Sequence, residues 1–280
     1  MHKSTWYITI LVLLCVSGCG SLQKKLSSNV LEPAERYTQT DNLLKNNGFE
    51  SIILSAEVFD VAAWANIKNA HQPISIFIEG DGFAYYSRHH ISDDPTPTNA
   101  IAAKIAVNDL SDNRIYLARP CQYIINHGSN STHCRPSIWT RDRFSKNMLI
   151  LYHDLLDELA ERYNNKSGFH IVGYSGGGVF ATLLGMFRDD VIDATAIASP
   201  LDIKAFIRYH RLSRLYAVNP FDYKKRLYNT NLTLYLGSDD QIINKDVLED
   251  FLDDMAGRKN FKLIEIENFE HEDDWHHIWQ

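Results

Sequence analysis

Residues 169–187 read FHIVGYSGGGVFATLLGMF. A short β-favouring run, Phe169 to Val172, meets a turn with glycine at positions 173, 176, 177 and 178. An apolar stretch long enough for a buried helix follows. The pattern predicts strand, sharp turn, helix. Ser175 stands on that turn, between Gly173 and Gly177. On local grounds it is either a serine lifted on a strained turn or a small residue in a glycine-rich packing loop. A phosphate loop fits poorly, because no Lys-Ser/Thr pair follows the glycines.

On either side of this unit the chain alternates strand-like and helix-like segments. ESIILSAEVFDVAAWAN (50–66) predicts a hairpin of two strands, and PISIFIEGDG (73–82) a buried strand ending in glycines. TNAIAAKIAVNDL (98–110) has helical apolar spacing, and NRIYLARP (113–120) is a strand stopped by Pro120. DRFSKNMLILYHDLLDELAERY (142–163) predicts a long amphipathic helix opened by Asp142 as cap. ATAIAS (194–199), LTLYLGSDD (232–240) and FKLIEIEN (261–268) are strands, with a helix over VLEDFLDDMA (247–256). Such alternation, with strands apolar on both faces, predicts an α/β fold with a mostly parallel central sheet and helices on both faces. Residues 201–230, helical and rich in basic and aromatic residues, interrupt the alternation. They read as a small cap or as an ordinary helix with a longer loop.

In such a sheet, ligands sit at the carboxyl ends of the strands. Ser175 stands at one, and the turn's geometry would aim its hydroxyl outward at a helix N-terminus, where the dipole favours developing negative charge. A nucleophilic serine needs a base, and the base needs an orienting carboxylate. Asp240 follows the strand LTLYL, with Asp239 beside it as the alternative. His271 follows the last strand, with His276 and His277 as rivals for the base role. The expected donors for an oxyanion are the backbone N–H of Gly176 and that of Asp81, in the loop EGDG after an earlier strand, with Gly82 next in line. Arg119, on the same rim, is read as either a clamp on an anionic substrate or an ion-pair partner of Asp81 or Glu79. Phe83, Tyr85 and Tyr86 would line a cleft or pack a cap.

With these motifs in place, residues 50–280 resemble the α/β-hydrolase superfamily. GYSGG matches its nucleophile elbow, GSDD the acid, FEHED the histidine, and EGDG stands where His-Gly-x-Gly is usual. The stretches YLARPCQY and IWTRDRFS resemble a signature of exported members. The resemblance implies a Ser175–His271–Asp240 triad that needs no metal or organic cofactor and acts on a small-molecule or lipid carboxylic ester. Amide hydrolysis by the same triad and a binding lipoprotein without activity are the alternatives. Two departures stand out: Glu79 replaces a histidine, and Asp81 puts a carboxylate beside the expected oxyanion site.

The N-terminus reads as a processing signal. Lys3 precedes the apolar run WYITILVLLCV, too short for a comfortable membrane span, and VSGC ends at Cys19. This resembles the bacterial lipobox, which implies cleavage after residue 18 and lipid attachment at Cys19. Gly20 follows, which implies outer-membrane sorting in the cell envelope. The expected division is therefore signal peptide over 1–18, tether over 19–46, unpatterned at first and open to a short helix at its end, and catalytic domain over 47–280. Export leaves Cys121 and Cys134 as a pair expected to form a disulfide across a polar, turn-rich segment, worth about 3 kcal/mol by chain entropy. A formal charge of −7 with no basic patch disfavours nucleic acid as a partner, and none is expected. Hydrophobic residues at 45% and charged residues at 22% suit a chain with a sizeable core.

Overall fold

The computed structural model describes residues 30–56, 58–125 and 131–279. The signal segment and Cys19 lie outside the described residues. An eight-stranded sheet runs in the order β1(Glu50–Ala56)–β2(Phe59–Ile67)–β6(Asn113–Leu117)–β3(Ile74–Ile78)–β7(Phe169–Tyr174)–β8(Val191–Ile197)–β9(Leu232–Gly237)–β10(Phe261–Ile266). β1 and β2 form the expected antiparallel hairpin, and β2 also pairs antiparallel with β6. From β6 to β10 every neighbouring pair is parallel. All five residues of both β3 and β6 are buried, Ser75, Asn113 and Arg114 among them, as in strands covered on both faces.

Each face of the sheet carries its own apolar cluster. One holds Leu155 and Leu156 of the helix Lys146–Arg162, Phe180 and Leu184 of the helix Gly176–Phe187, and Phe251 of the helix Glu249–Met255. The other holds Leu44, Trp64, Tyr116, Trp275 and the apolar side of the helix Ile101–Asn108. The chain passes from β3 to β6 on one side, then crosses to β7 on the other. The carboxyl ends of β3 and β7 thus border the topological switch point, where open α/β sheets leave a crevice.

The structure refines three expectations. The tether over 19–46 is not free along its whole length: Pro33–Asn46 is a helix with a Glu32–Glu35 capping box and Pro33 at its first position. Leu44 is fully buried, and Asp41 accepts from the Trp64 indole N–H at 2.9 Å. Anchored by that burial, the folded unit starts before residue 47. The cap of the long helix is Ser145, whose hydroxyl accepts from the Met148 N–H, rather than Asp142. Phe144 still pairs in extended form with Ala217, so helical geometry cannot begin earlier. Residues 201–230 are chiefly the crossover that parallel β8 and β9 require. A helix over Ile203–Tyr209 buries Ile203 and Phe206, and Leu227 returns the chain to the core.

The fold also contains a small hairpin, β4(Tyr85–Ser87) with β5(His90–Ile91), that the sequence pattern does not announce. Tyr85 and Tyr86 are exposed on it, while Phe83 receives the Arg36 guanidinium on its ring at 5.3 Å. Cys121 and Cys134 form the expected disulfide, with Cα atoms 5.5 Å apart. No described helix is long and apolar enough to cross a membrane.

Candidate active site

Ser175 links β7 to the helix that starts at Gly176. Its φ of 49° and ψ of −118° place a non-glycine residue in a sparsely populated region, as the Gly-x-Ser-x-Gly turn predicts. The turn is held by the Ser175 N–H donating to the Ile197 carbonyl at 2.7 Å and the Gly178 N–H donating to the Ser175 carbonyl at 3.1 Å. The tightness dictates the flanking glycine: a Cβ on Gly173 would lie 2.2 Å from the Gly177 carbonyl.

The loops after β9 and β10 bring the two other expected side chains to this serine. Asp240 is fully buried. Its Oδ1 accepts from the N–H groups of Ile242 and Ile243 at 2.7 and 2.8 Å, and its Oδ2 lies 2.8 Å from His271 Nδ1. A carboxylate only accepts, so Nδ1 carries the ring proton and Nε2 is left as an acceptor. Nε2 stands 3.1 Å from Ser175 Oγ. The His271 carbonyl accepts from both the Tyr174 hydroxyl and the Trp275 indole N–H, each at 2.9 Å. The residue beside the serine therefore also fixes the histidine loop.

The alternatives fall elsewhere. Asp239 is exposed and accepts from the Ser238 hydroxyl. His276 lies 3.7 Å from Asp274 and stacks near His277, their ring centroids 4.0 Å apart. Burial and the neighbouring His277 hold its pKa below the usual histidine value.

On the other side of Ser175 lies the loop Glu79–Gly82. A Cβ built on Gly80 would be 3.3 Å from Ser175 Cβ, and one built on Gly176 would be 2.2 Å from Asp81 Oδ1. The Asp81 carboxylate thus sits beside the first residue of the helix. It is neutralised from two directions: Arg119 Nη1 lies 3.1 Å from Oδ1, and Arg143 Nε 2.9 Å from Oδ2. Arg119 also donates through Nη2 to the Arg143 carbonyl at 2.7 Å and rests 4.8 Å from the Phe180 ring centroid. Of the two readings of Arg119, the ion pair is the one found. Glu79 faces the interior. It accepts from the Gly80 N–H at 2.9 Å and the Tyr116 hydroxyl at 3.0 Å, and burial pushes its pKa up to about 7. The N–H of Gly176, at the first helical position, has no intrahelical acceptor.

Sequence reasoning did not single out Arg143, Tyr174, Trp275 or Gln122, a buried residue whose Nε2 donates to the Gly80 carbonyl at 3.0 Å. A signal for Arg143 was available: a carboxylate at a buried strand end calls for cations, and a second arginine stands in TRDRF. The other three act through tertiary contacts that leave no local trace. Among the described residues, no group of three or more His, Cys, Asp or Glu side chains is placed to hold a metal ion.

No protein-family model matches the chain, and no curated protein matches it. Solved structures do. An alpha-beta serine hydrolase homologue from Coxiella burnetii superposes with a TM-score of 0.52 at 10% identity, over 79% of this chain and 88% of the other. Est1E from Butyrivibrio proteoclasticus gives 0.51 at 12% identity, over 79% and 90%. The acylaminoacyl peptidase of Pyrococcus horikoshii gives 0.52 at 12% identity, over 82% of this chain but 39% of the other. At such identities the likeness is one of architecture, and together with the strand order it establishes that this chain has the α/β-hydrolase fold.

Proposed function

We propose that this protein is a serine hydrolase cleaving carboxylic esters. The observation that carries the reading is the single imidazole of His271, bonded at 2.8 Å to buried Asp240 and at 3.1 Å to Ser175 on its strained turn. In this reading Ser175 Oγ attacks the ester carbonyl while His271 Nε2 takes its proton. Asp240 holds the tautomer and stabilises the imidazolium. The N–H groups of Gly176 and Asp81 receive the oxyanion. His271 returns the proton to the departing alcohol, leaving an acyl-enzyme on Ser175. Water, deprotonated by His271, then releases the acid. Esters are preferred over amides because an alkoxide leaves without the exacting protonation an amine requires. The peptidase among the structures of this fold keeps amides as the class to test against.

The purified full chain in detergent, treated with a fluorophosphonate probe, is expected to label, and Ser175→Ala is not. Equal labelling of the two would sink the reading. p-Nitrophenyl esters are expected to turn over faster than aminoacyl anilides; the reverse would make the protein an amidase.

We also propose that the protein is tethered to the cell envelope by a lipid on Cys19. Radiolabelled palmitate should enter the wild type in a bacterial host and not Cys19→Ala.

A further inference from the structure

We propose that Gln122 is the positioning residue that aims the Asp81 N–H at the oxyanion, an inference that rests on the hydrolase reading above. Gln122 is completely buried in the turn after β6, and both polar atoms of its side-chain amide are bonded. Oε1 accepts from the Arg119 N–H at 2.9 Å, and Nε2 donates to the Gly80 carbonyl at 3.0 Å. The partners fix which end of the amide is which, since a backbone N–H only donates and a carbonyl only accepts.

The peptide between Gly80 and Asp81 is planar and, like every described peptide here, trans. Its C=O and N–H therefore point in opposite directions. Drawing the Gly80 oxygen toward Gln122 turns the Asp81 N–H away from Gln122, and Gly80 itself packs against Tyr174 and Ser175. One side-chain amide thus sets the direction of a backbone N–H that it does not touch.

The loop leaves this bond no slack. Gly82 has a φ of +65°, and a Cβ there would lie 2.1 Å from the Pro95 carbonyl and 2.6 Å from Gln122 Nε2. The cavity behind the loop, walled by Asp81, Pro95, Arg119, Gln122, Ile138 and Trp139, has a volume of about 10 Å³, room for one water. Gln122 itself is held on both flanks by non-glycine residues with positive φ, Cys121 at 74° and Tyr123 at 63°. Such conformations persist only where the surroundings over-determine them. Cys121 is tied through its disulfide to Cys134. The Tyr123 N–H donates to Thr96 Oγ1 at 2.8 Å, and its hydroxyl bonds those of Tyr116 and Thr40.

The test compares wild type, Gln122→Ala and Gln122→Glu as full chains hydrolysing a p-nitrophenyl ester across a range of pH. Gln122→Ala should lower kcat by about 10–100-fold, less than or comparable to deleting an oxyanion donor, with KM within about threefold. Gln122→Glu supplies the reading a merely structural role would not move. Protonated, its carboxyl donates to the Gly80 oxygen and accepts from the Arg119 N–H; ionised, it sets an anion against that oxygen. Its kcat relative to wild type should climb as pH falls, whereas the Gln122→Ala ratio stays level. Should Gln122→Ala fail to fold, the Gln122→Glu profile decides alone. Wild-type kcat in Gln122→Ala, or a level ratio in Gln122→Glu, overturns the positioning role and leaves the hydrolase reading standing. A wild type without turnover overturns both.

Discussion

The two flanks of Ser175 are built on different physics. On the β9–β10 side, His271 and Asp240 form a chain of side-chain hydrogen bonds ending at the serine hydroxyl, with the imidazole partly open to solvent. On the β3–β6 side, nothing in the proposed scheme titrates during the reaction. Asp81, Arg119, Arg143 and Gln122 form a largely buried, mutually bonded set whose product is the fixed direction of a few backbone groups. A group that moves protons needs access and a free lone pair. A group that stabilises charge by preorganisation needs the reverse, burial and no alternatives. The difference teaches that the carboxylate of Asp81, which taken alone opposes an oxyanion, is compatible with one because its charge is already spent on two guanidinium groups.

The largest expected effects lie on the proton-moving flank. His271→Ala should lower ester turnover by roughly 10⁴–10⁶-fold with little change in thermal stability, while His277→Ala stays within about threefold. Reversed results in steady-state assays would move the base to the C-terminal turn. Asp240→Asn, which offers His271 Nδ1 the wrong partner for its tautomer, should cost about 10⁴-fold in kcat at neutral pH. A loss under about tenfold would show that the buried acid is architectural.

The preorganised flank should respond differently, in stability as well as rate. Arg119→Ala leaves the Asp81 carboxylate with one cation and exposes Gly176 to its charge. We expect turnover to fall roughly 10–100-fold and unfolding free energy by about 3 kcal/mol in urea titrations. Adding Asp81→Asn should restore part of both, because the uncompensated charge is then gone. Additive losses in the double variant would mean the pair is not coupled.

The smallest effect is one of pH. The folded pKa of Glu79 is raised to about 7 from an ordinary 4.5. Between those values the folded chain keeps a proton that the unfolded chain has released. The stability contributed by this group therefore falls as pH rises toward about 7 and is level above it, by roughly 3 kcal/mol at most. Urea melts from about pH 5 to pH 8 should show this slope in the wild type and a flatter one in Glu79→Gln. Equal slopes would place Glu79 ionised in the native state.

Much of this was legible in the chain. Strands and helices alternate with local periodicities, so each strand of the sheet could be read before its neighbours were known. Ser175 announced itself because a sharp turn demands glycines at fixed offsets. Asp240 and His271 were readable as strand-end residues in a fixed chain order. His271 is preferred over His276 and His277 for its place in the loop directly after the last strand, and its bonds to Asp240 and Ser175 set it apart from them in the fold. The length and docking of the helix over Pro33–Asn46 were obscured because its mostly polar face hides the few residues, Arg36, Thr40 and Leu44, that it buries.

By itself, then, the sequence determined what is local: the order of elements, the elbow at Ser175 and the candidates at each strand end, because backbone sterics and hydrophobic period act over a few residues. The tertiary structure alone decided what depends on burial and on distance in the chain. It paired Asp81 with Arg119 and Arg143, turned Glu79 inward to Tyr116, and set Gln122 on the Gly80 carbonyl. A buried charge or a peptide dipole is governed by whatever neighbours the fold delivers, and those neighbours come from separate segments of the chain.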